Sequence, residues 1–166
     1  MTENLYQNFK ANEYELVILK HEQLNVAYPD RIVKTWYDPL VWVGRDLKEC
    51  NEWQDSRQIP VIVSPEPCVY RRQVLHQLNA EQFSIELAYV SESYNSKLLA
   101  IRAGMGLAAL PQSLVPPDFA IVETGLPALS ATQISLFRSD IQAKVAQYLR
   151  DRIIESFDDQ LGAAIA

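Results

Sequence analysis

The 166-residue sequence contains little of what marks secreted, metal-binding or nucleic-acid-binding proteins. It has two cysteines, Cys50 and Cys68, with no CxxC pair and no Cys/His cluster, which excludes a zinc framework and favours free thiols in a reducing cytoplasm. The net charge of −6 disfavours a broad nucleic-acid-binding surface. No apolar run reaches membrane-spanning length and no signal-peptide pattern opens the chain, so we expect a cytoplasmic protein with no membrane partner.

Patterns that carry enzyme chemistry are missing as well. The sequence has no G-x-S-x-G elbow, no phosphate-cradling glycine loop and no zinc-ligand spacing. The acidic residues Glu13, Glu15 and Asp38 are scattered, and no pair has the placement that general acid–base catalysis requires. We therefore predict no catalytic residue, no metal site and no cofactor.

The residues that are present indicate an α/β protein with a substantial core. The hydrophobic fraction of 48% and the charged fraction of 22% are ordinary for a globular domain. Apolar runs alternate with segments of helical periodicity, which predicts a mainly parallel sheet built from right-handed crossovers. The polar stretch 47–58 is predicted to separate two halves. Strands are predicted at 14–20, 30–36, 38–46, 59–65, 84–93, 107–110, within 113–123 and at 132–140, and helices at 3–10, 69–83, 94–103 and 141–157.

One short joint stands out, "LLAIRAGMGLAALPQS" at 98–113. Gly104 supplies the left-handed conformation that ends a helix, and Gly106 lets the chain turn at once into the apolar strand that follows. The joint therefore returns a covering helix to a buried strand within a few residues, as βαβ architecture requires.

The segment around this joint resembles a known family. "SYNSKLLAIRAGMGLAALPQSLV" (93–115) is similar to the pattern of a serine, a helix and "AGLGIALLP" in the effector-binding domain of LysR-type transcriptional regulators. Three more stretches resemble other segments of that domain: "FKANEYELVIL" (9–19), "DPLVWVGRD" (38–46) and "IPVIVSPEPCVYRRQVLHQL" (59–78). The resemblance extends over 3–157.

The resemblance implies a two-lobed α/β domain of the periplasmic-binding-protein-like type II fold with two crossover segments. Lobe I is expected at 1–44 plus 124–157, lobe II at 45–123, and a flexible tail at 158–166. The first strand and most of the first helix of lobe I have no counterpart, so that lobe is expected to be incomplete. The winged helix-turn-helix is also missing, so contact with DNA is expected only through that absent N-terminal domain.

The function implied by the resemblance is effector sensing and dimerisation. A small organic ligand, in some cases an anion, binds between the lobes, and its differential affinity for two closures changes how homodimers arrange in the tetramer of a full-length regulator. Two other classes stay open at this point. One is a free-standing small-molecule binding protein of the periplasmic type, and the other is a small α/β enzyme.

Candidate effector contacts lie where strands end and helices begin. The resemblance places them in the loop 64–69, where Ser64, Pro67, Cys68 and Val69 offer a hydroxyl, a thiol and backbone amides. The structural alternative is a loop stiffened by proline. Redox sensing through Cys68 is a further hypothesis, although no resolving partner is evident.

Two further pairs of residues have both a functional and a structural interpretation. Ser91 and Ser93 precede a predicted helix and either cap it or contact the effector. Lys20 and His21 follow an apolar strand and either lie in a solvated loop or contact an anionic effector. These four residues complete the predicted effector-binding set.

Adjacent arginines follow the 64–69 loop on the predicted helix. Arg71 and Arg72 either form a solvated face or contact an acidic ligand or a partner subunit. Trp42 is predicted to belong to the core, and His76 to the surface of the same helix as the arginines.

Overall fold

The computed structural model describes residues 2–21, 29–140 and 143–162. The chain forms two compact units, unit 1 comprising Met1–Asp38 with Ala131–Ala166, and unit 2 comprising Pro39–Ser130. It therefore passes from one unit to the other twice, as the predicted crossover segments require. The unit boundaries differ from the predicted lobe boundaries, because 39–44 and 124–130 belong to unit 2.

In the described residues the α-helices and strands follow one another in a mixed order. They are α1 (Thr2–Lys10), β1 (Leu16–His21), β2 (Ile32–Asp38), β3 (Leu40–Gly44), α2 (Leu47–Ser56), β4 (Gln58–Val63), α3 (Val69–Ala80), β5 (Ser84–Val90), α4 (Tyr94–Arg102), β6 (Leu107–Pro111), β7 (Ala120–Val122), β8 (Thr132–Arg138) and α5 (Lys144–Leu161). Short 3₁₀ turns cover Pro29–Arg31 and Gln112–Leu114.

Unit 1 is built on a three-stranded antiparallel sheet. Its order is β1-β8-β2, and β8 runs opposite to both neighbours. The prediction of a mainly parallel sheet is wrong here, because the central strand comes from the far end of the chain. The return segment lies between two earlier strands, and local helix–strand alternation does not reveal its direction.

Alternating side chains of β8 build a separate core on each face of this sheet. Phe137 packs against Phe9 of α1, with ring centroids 5.8 Å apart in an edge-to-face arrangement. On the other face, Leu136 and Ile134 form a cluster with Trp36, whose ring lies 4.8 Å from that of Phe157 in α5. One helix therefore packs on each face of this sheet, α1 on one face and α5 on the other.

Helix α5 differs from its prediction at both ends. It continues to Leu161, which packs on the Trp36 cluster, so the predicted flexible tail 158–166 is wrong for residues 158–161. The rest of that tail, 163–166, and residues 141–142 at the predicted helix start lie outside the described residues. The apolar side chains of α5 are buried only in part, since Ile153 and Phe157 pack on the Trp36 cluster while Val145, Tyr148 and Leu149 are exposed.

Unit 2 contains a mixed five-stranded sheet with the order β5-β4-β6-β3-β7. β4 pairs in parallel with β5 and β6, whereas β3 pairs antiparallel with β6 and β7. One core, which includes Cys50 of α2 and Val74 of α3, covers one face. A second core, which includes Leu98 and Ile101 of α4, covers the other.

Helix α2 occupies the stretch that was predicted to be a polar separator, and that prediction is wrong. Asp46 caps the helix, since its Oδ1 accepts a hydrogen bond of 2.9 Å from the backbone N–H of Glu49. Cys50 is buried and Trp53 is partly buried against the core. Few of its residues contact the core, and its sequence is therefore mostly polar.

Candidate functional site

Two loops of unit 2 emerge side by side at the carboxyl ends of parallel strands. Residues 64–68 connect β4 to α3, and residues 91–93 connect β5 to α4. The backbone N–H of Ser91 donates a hydrogen bond of 3.0 Å to the carbonyl of Val63, which ties the two loops together. This edge of a parallel sheet, where helices begin, is the usual position of ligand sites in α/β proteins.

A pocket opens beside Ser64 of the first loop, next to the first turns of α3 and α4. The empty space between its walls, open solvent included, is about 250 Å³. We call it the Ser64 pocket. It is lined by Ile62, Val63, Ser64, Tyr70, Arg71, Val74, Lys97 and Ala109, all of which belong to unit 2.

Two cationic side chains from different helices converge on Ser64. Lys97 Nζ, from α4, donates a hydrogen bond of 2.8 Å to Ser64 Oγ. Arg71 Nη1, from the first turn of α3, donates one of 3.2 Å to the Ser64 carbonyl oxygen. The partial positive charge at the beginning of each helix adds to these two full charges. The pocket is therefore an electropositive corner with apolar walls.

Arg71 is largely withdrawn from water, and its hydrogen-bonding capacity is not used up. Its side chain is 16% exposed, and its buried Nε has no hydrogen-bond partner among the residues that the structure describes. The Glu66 carboxylate oxygen lies 3.6 Å from Nε, but the Glu66 side chain is 78% exposed, so water screens this ion pair. A buried charged donor without an acceptor is costly, and an acceptor in the pocket would relieve that cost.

The structure brings six of the predicted residues to this edge. Ser64 lines the pocket, Pro67 is exposed in the loop, and Cys68 is the N-cap residue of α3, which begins at Val69. Cys68 forms no side-chain cap bond within the described part of the chain.

Ser91 and Ser93 act as local structural residues. Ser93 Oγ accepts a hydrogen bond of 3.3 Å from the N–H of Ser96 and so caps α4. Ser91 Oγ accepts one of 3.2 Å from the N–H of Ser93. Both bonds shape the loop that delivers Lys97 to the pocket.

The other two predicted residues lie in unit 1. Lys20 and His21 are the last residues of β1, paired with Ile134 and Gln133 of β8. They belong to the strand itself, so the alternative of a solvated loop is wrong for both. Their contact with an effector stays a prediction.

Sequence reasoning missed Lys97 and did not separate Arg71 from Arg72. Arg71 lies three residues before the buried Val74, on the pocket side of α3, while Arg72 is exposed. Helical spacing from Val74 could have revealed this difference. For Lys97, the signal was its position four residues after the Ser93 cap, which places it in the first turns of a helix that starts at a strand end.

The described residues contain no group of three or more His, Cys, Asp or Glu side chains arranged to hold a metal ion. Within the same residues, no helix combines the length and the apolar character needed to cross a membrane.

Known proteins agree with this architecture. The family model of the LysR substrate binding domain matches residues 1–140. The HTH-type transcriptional regulator PecT of Dickeya dadantii (strain 3937) is 27% identical over 90 residues, which are 53% of this chain and 28% of PecT. The chain therefore spans little more than a quarter of that relative's length.

Solved structures show the same fold. The regulatory domain of HypT from Salmonella typhimurium superposes with a TM-score of 0.68 at 13% identity, covering 93% of this chain and 78% of that one. The Synechocystis PCC6803 CcmR regulatory domain in complex with 2-PG gives a TM-score of 0.67 at 16% identity, with 93% and 79% covered.

The fold is thus that of the regulatory, effector-binding domains of LysR-type regulators, the periplasmic-binding-protein-like type II fold, and the predicted fold class is confirmed. The chain belongs to the family of LysR substrate-binding domains, as its sequence resemblance implied.

Proposed function

We propose that this chain is the effector-sensing module of a LysR-type transcriptional regulator and that its effector binds in the Ser64 pocket. The observation that carries the proposal is the convergence of Lys97 and Arg71 on Ser64, at the carboxyl end of a parallel strand. The relative PecT is a transcriptional regulator, and the CcmR regulatory domain holds a small molecule, which supports the same role here.

The proposal assigns a role to each predicted residue. Ser64, Pro67, Cys68 and Val69 form the loop that surrounds the effector, and Ser91 and Ser93 hold the neighbouring loop in position. Lys20 and His21 remain proposed effector contacts.

In this role the domain acts by shifting a conformational equilibrium. The effector binds one arrangement of the domain more tightly than the other, and this difference in affinity sets how far the equilibrium shifts. DNA binding by a separate helix-turn-helix segment follows that shift. The protein works without catalysis or a cofactor, in the cytoplasm, and the full-length regulator is a tetramer made of two such dimers.

We also propose that the chain forms a homodimer. Val145, Tyr148 and Leu149 expose apolar surface along the first turns of α5, and soluble monomers rarely leave such residues clustered on one helix. A second copy of the chain would cover them in a self-complementary contact.

A thermal-shift screen of small organic molecules tests effector binding. Ligands that bind the folded state raise its melting temperature by mass action, by an amount that grows with concentration. We expect at least one chemical class to do so, and we expect Ser64→Leu, which places a larger side chain in the pocket, to abolish the effect. The control is Ser113→Leu at an exposed position. Failure of every compound, or equal stabilisation of Ser64→Leu, would refute the proposed function.

A further inference from the structure

We infer that the outer edge of β1 forms the centre of the homodimer interface, where β1 pairs in an antiparallel manner with β1 of a second copy of the chain. This inference rests on the proposed homodimer and names the strand through which it forms. It comes from the direction of the backbone groups of β1, from the sequence of its edge, and from its position next to the exposed residues of α5.

The backbone of β1 points alternately toward β8 and toward an edge along which the described residues place no other strand. The N–H of Ser139 donates a hydrogen bond of 2.8 Å to the carbonyl of Glu15, so these two residues form a hydrogen-bonded pair of the antiparallel ladder. Because such pairs occur at every second residue, Val17 also bonds to β8. Leu16 and Ile18 therefore direct their N–H and C=O groups to the outer edge, where they can bind a further strand.

The two edges of the unit 1 sheet differ in how they discourage pairing. Strand β2 has a register shift between Ile32 and Lys34, and Lys34 forms an ion pair of 2.7 Å with Asp158. Irregular register and charged side chains are devices that keep edge strands from pairing with other chains. Strand β1 pairs without a register shift, and its first four residues are apolar. Ile18, in its middle, is 36% exposed, so β1 is the edge that is open to a partner strand.

The distribution of charge along β1 favours antiparallel pairing with a second copy. Glu15 precedes the strand, and Lys20 lies near its end. Antiparallel pairing about Ile18 places the acidic start of one strand beside the basic end of the other, whereas parallel pairing would place like charges together. A two-fold axis between the two Ile18 residues produces this arrangement and closes the interface after two copies. The two Ile18 residues then exchange two backbone hydrogen bonds and cover each other's side chains.

The edge of β1 is continuous with the apolar surface of α5. The Glu15 carboxylate accepts a hydrogen bond of 2.8 Å from the N–H of Ala143, the N-cap residue of α5, so this helix begins beside the start of β1. At a rise of about 1.5 Å per residue, the exposed Val145, Tyr148 and Leu149 lie within about 9 Å of this contact along the helix axis. One interface can therefore combine backbone hydrogen bonds at β1 with apolar contacts at α5.

Analytical ultracentrifugation of the complete chain at tens of micromolar tests the inference with two substitutions. Ile18→Pro removes an N–H that the β1–β8 ladder does not use, and Ile18→Lys brings two like charges together at the two-fold axis. Each should weaken self-association at least about tenfold and give a monomer. A melting temperature close to that of wild type shows that a variant folds, and Ile18→Lys carries the test if Ile18→Pro does not.

Two matched controls accompany these variants. Ile18→Val keeps the backbone N–H and a β-branched apolar side chain, so it should remain a dimer. Leu87→Lys introduces the same charge at an exposed apolar position of β5, the edge strand of the other sheet, and should also remain a dimer.

Hydrogen exchange followed by NMR distinguishes pairing at β1 from any other dimer contact. In the proposed dimer the backbone amide of Ile18 donates to the second copy, so it should exchange at least about tenfold more slowly where the dimer predominates than where dilution gives the monomer. The amide of Val17, which bonds to β8, should be protected at both concentrations.

The inference and the homodimer fail in different ways. If folded Ile18→Lys dimerises as tightly as wild type, or if protection of the Ile18 amide does not depend on concentration in a dimeric chain, the inference is wrong and the homodimer stands. Equal loss of the dimer in Leu87→Lys and Ile18→Lys also overturns it. If the wild-type chain is a monomer, both are wrong, and a protected Ile18 amide in that monomer would mean that another segment of the chain covers the edge.

Discussion

The indole Nε1 of Trp36, in β2, donates a hydrogen bond of 2.8 Å to Oδ1 of Asp158, in the last turns of α5. The other oxygen of the same carboxylate accepts a bond of 2.7 Å from Lys34 Nζ. Together with the packing of Phe157 on Trp36, these bonds fix the end of α5 to the sheet of unit 1. They explain why the helix continues through a stretch whose polar sequence suggested a frayed tail.

Asp158→Asn should lower the stability of the chain in a pH-dependent manner. The hydrogen bond from Lys34, and then that from Trp36, lowers the pKa of the Asp158 carboxyl below its ordinary value. A lowered pKa in the folded state contributes stability above the ordinary value, and this contribution is lost as the pH falls through the folded-state pKa. The difference in melting temperature between wild type and Asp158→Asn should therefore be largest above about pH 5 and shrink below about pH 4. Asp159→Asn, an exposed neighbour, is the control, and a difference that is independent of pH would contradict the assignment.

Two glycines in the joint between α4 and β6 should differ in their tolerance of alanine. A Cβ at Gly106 would lie 2.4 Å from the backbone oxygen of Pro60, whereas at Gly104 (φ +70°) it would meet the flexible end of Arg45 at 2.5 Å. Gly104→Ala should cost about 1–2 kcal/mol for its left-handed backbone. Gly106→Ala should cost more, about 3 kcal/mol or above, because β4 and β6 must separate. Urea denaturation measures the free energy of unfolding of both variants. Equal losses of stability would contradict the prediction that the close approach of Gly106 to Pro60 makes its substitution the more costly one.

The two cysteines should differ in reactivity. Cys50 is buried, and burial raises the pKa of its thiol to about 11, so almost none of it is thiolate at pH 8. Cys68 is partly exposed. Ellman's reagent at pH 8 should therefore label one thiol per native chain rapidly and two in guanidinium chloride, and Cys68→Ser should remove the rapid phase. Rapid labelling of Cys68→Ser would contradict the buried position of Cys50.

The raised pKa of Cys50 also predicts a loss of stability at alkaline pH. The unfolded thiol ionises near its ordinary value of 9.0, while the folded thiol stays protonated until about 11. Stability should thus decline over this interval, and Cys50→Ala should show a smaller decline.

Charge introduced on α5 should break the proposed homodimer. Val145 is 76% and Leu149 is 50% exposed, so the double variant Val145→Glu, Leu149→Glu should fold and sediment as a monomer at tens of micromolar, where weak interfaces are still populated. Wild type and the control Leu47→Glu, at an exposed apolar position of α2, should sediment as dimers. A monomeric wild-type chain would refute the homodimer.

Local signals in the sequence were sufficient for most elements of unit 2. The Ser93 cap, the apolar residues of α4 and the glycines that follow predicted the α4–β6 joint, because caps and tight turns depend on neighbouring residues. Helix α2 escaped notice since Cys50 is its only fully buried residue. The antiparallel sheet of unit 1 depends on pairing between β8 and strands about a hundred residues earlier, which periodicity cannot show.

The candidate site was predictable in its location and less so in its chemistry. The loop after β4 was identified because ligands bind at the ends of parallel strands. The donors that give the pocket its charge come from Arg71 and Lys97, whose sequence contexts resemble those of solvated surface residues. Only the meeting of α3 and α4 beside Ser64 distinguishes them.

The most direct test of the account is an NMR titration of the ¹⁵N-labelled chain with the compound that raises the melting temperature most in the thermal-shift screen. Binding in the Ser64 pocket predicts that the earliest and largest shifts occur in the backbone amides of 64–71 and 91–97, and that Lys97→Met suppresses them. Shifts confined to other residues, or a spectrum unchanged at about 10 mM, would contradict it.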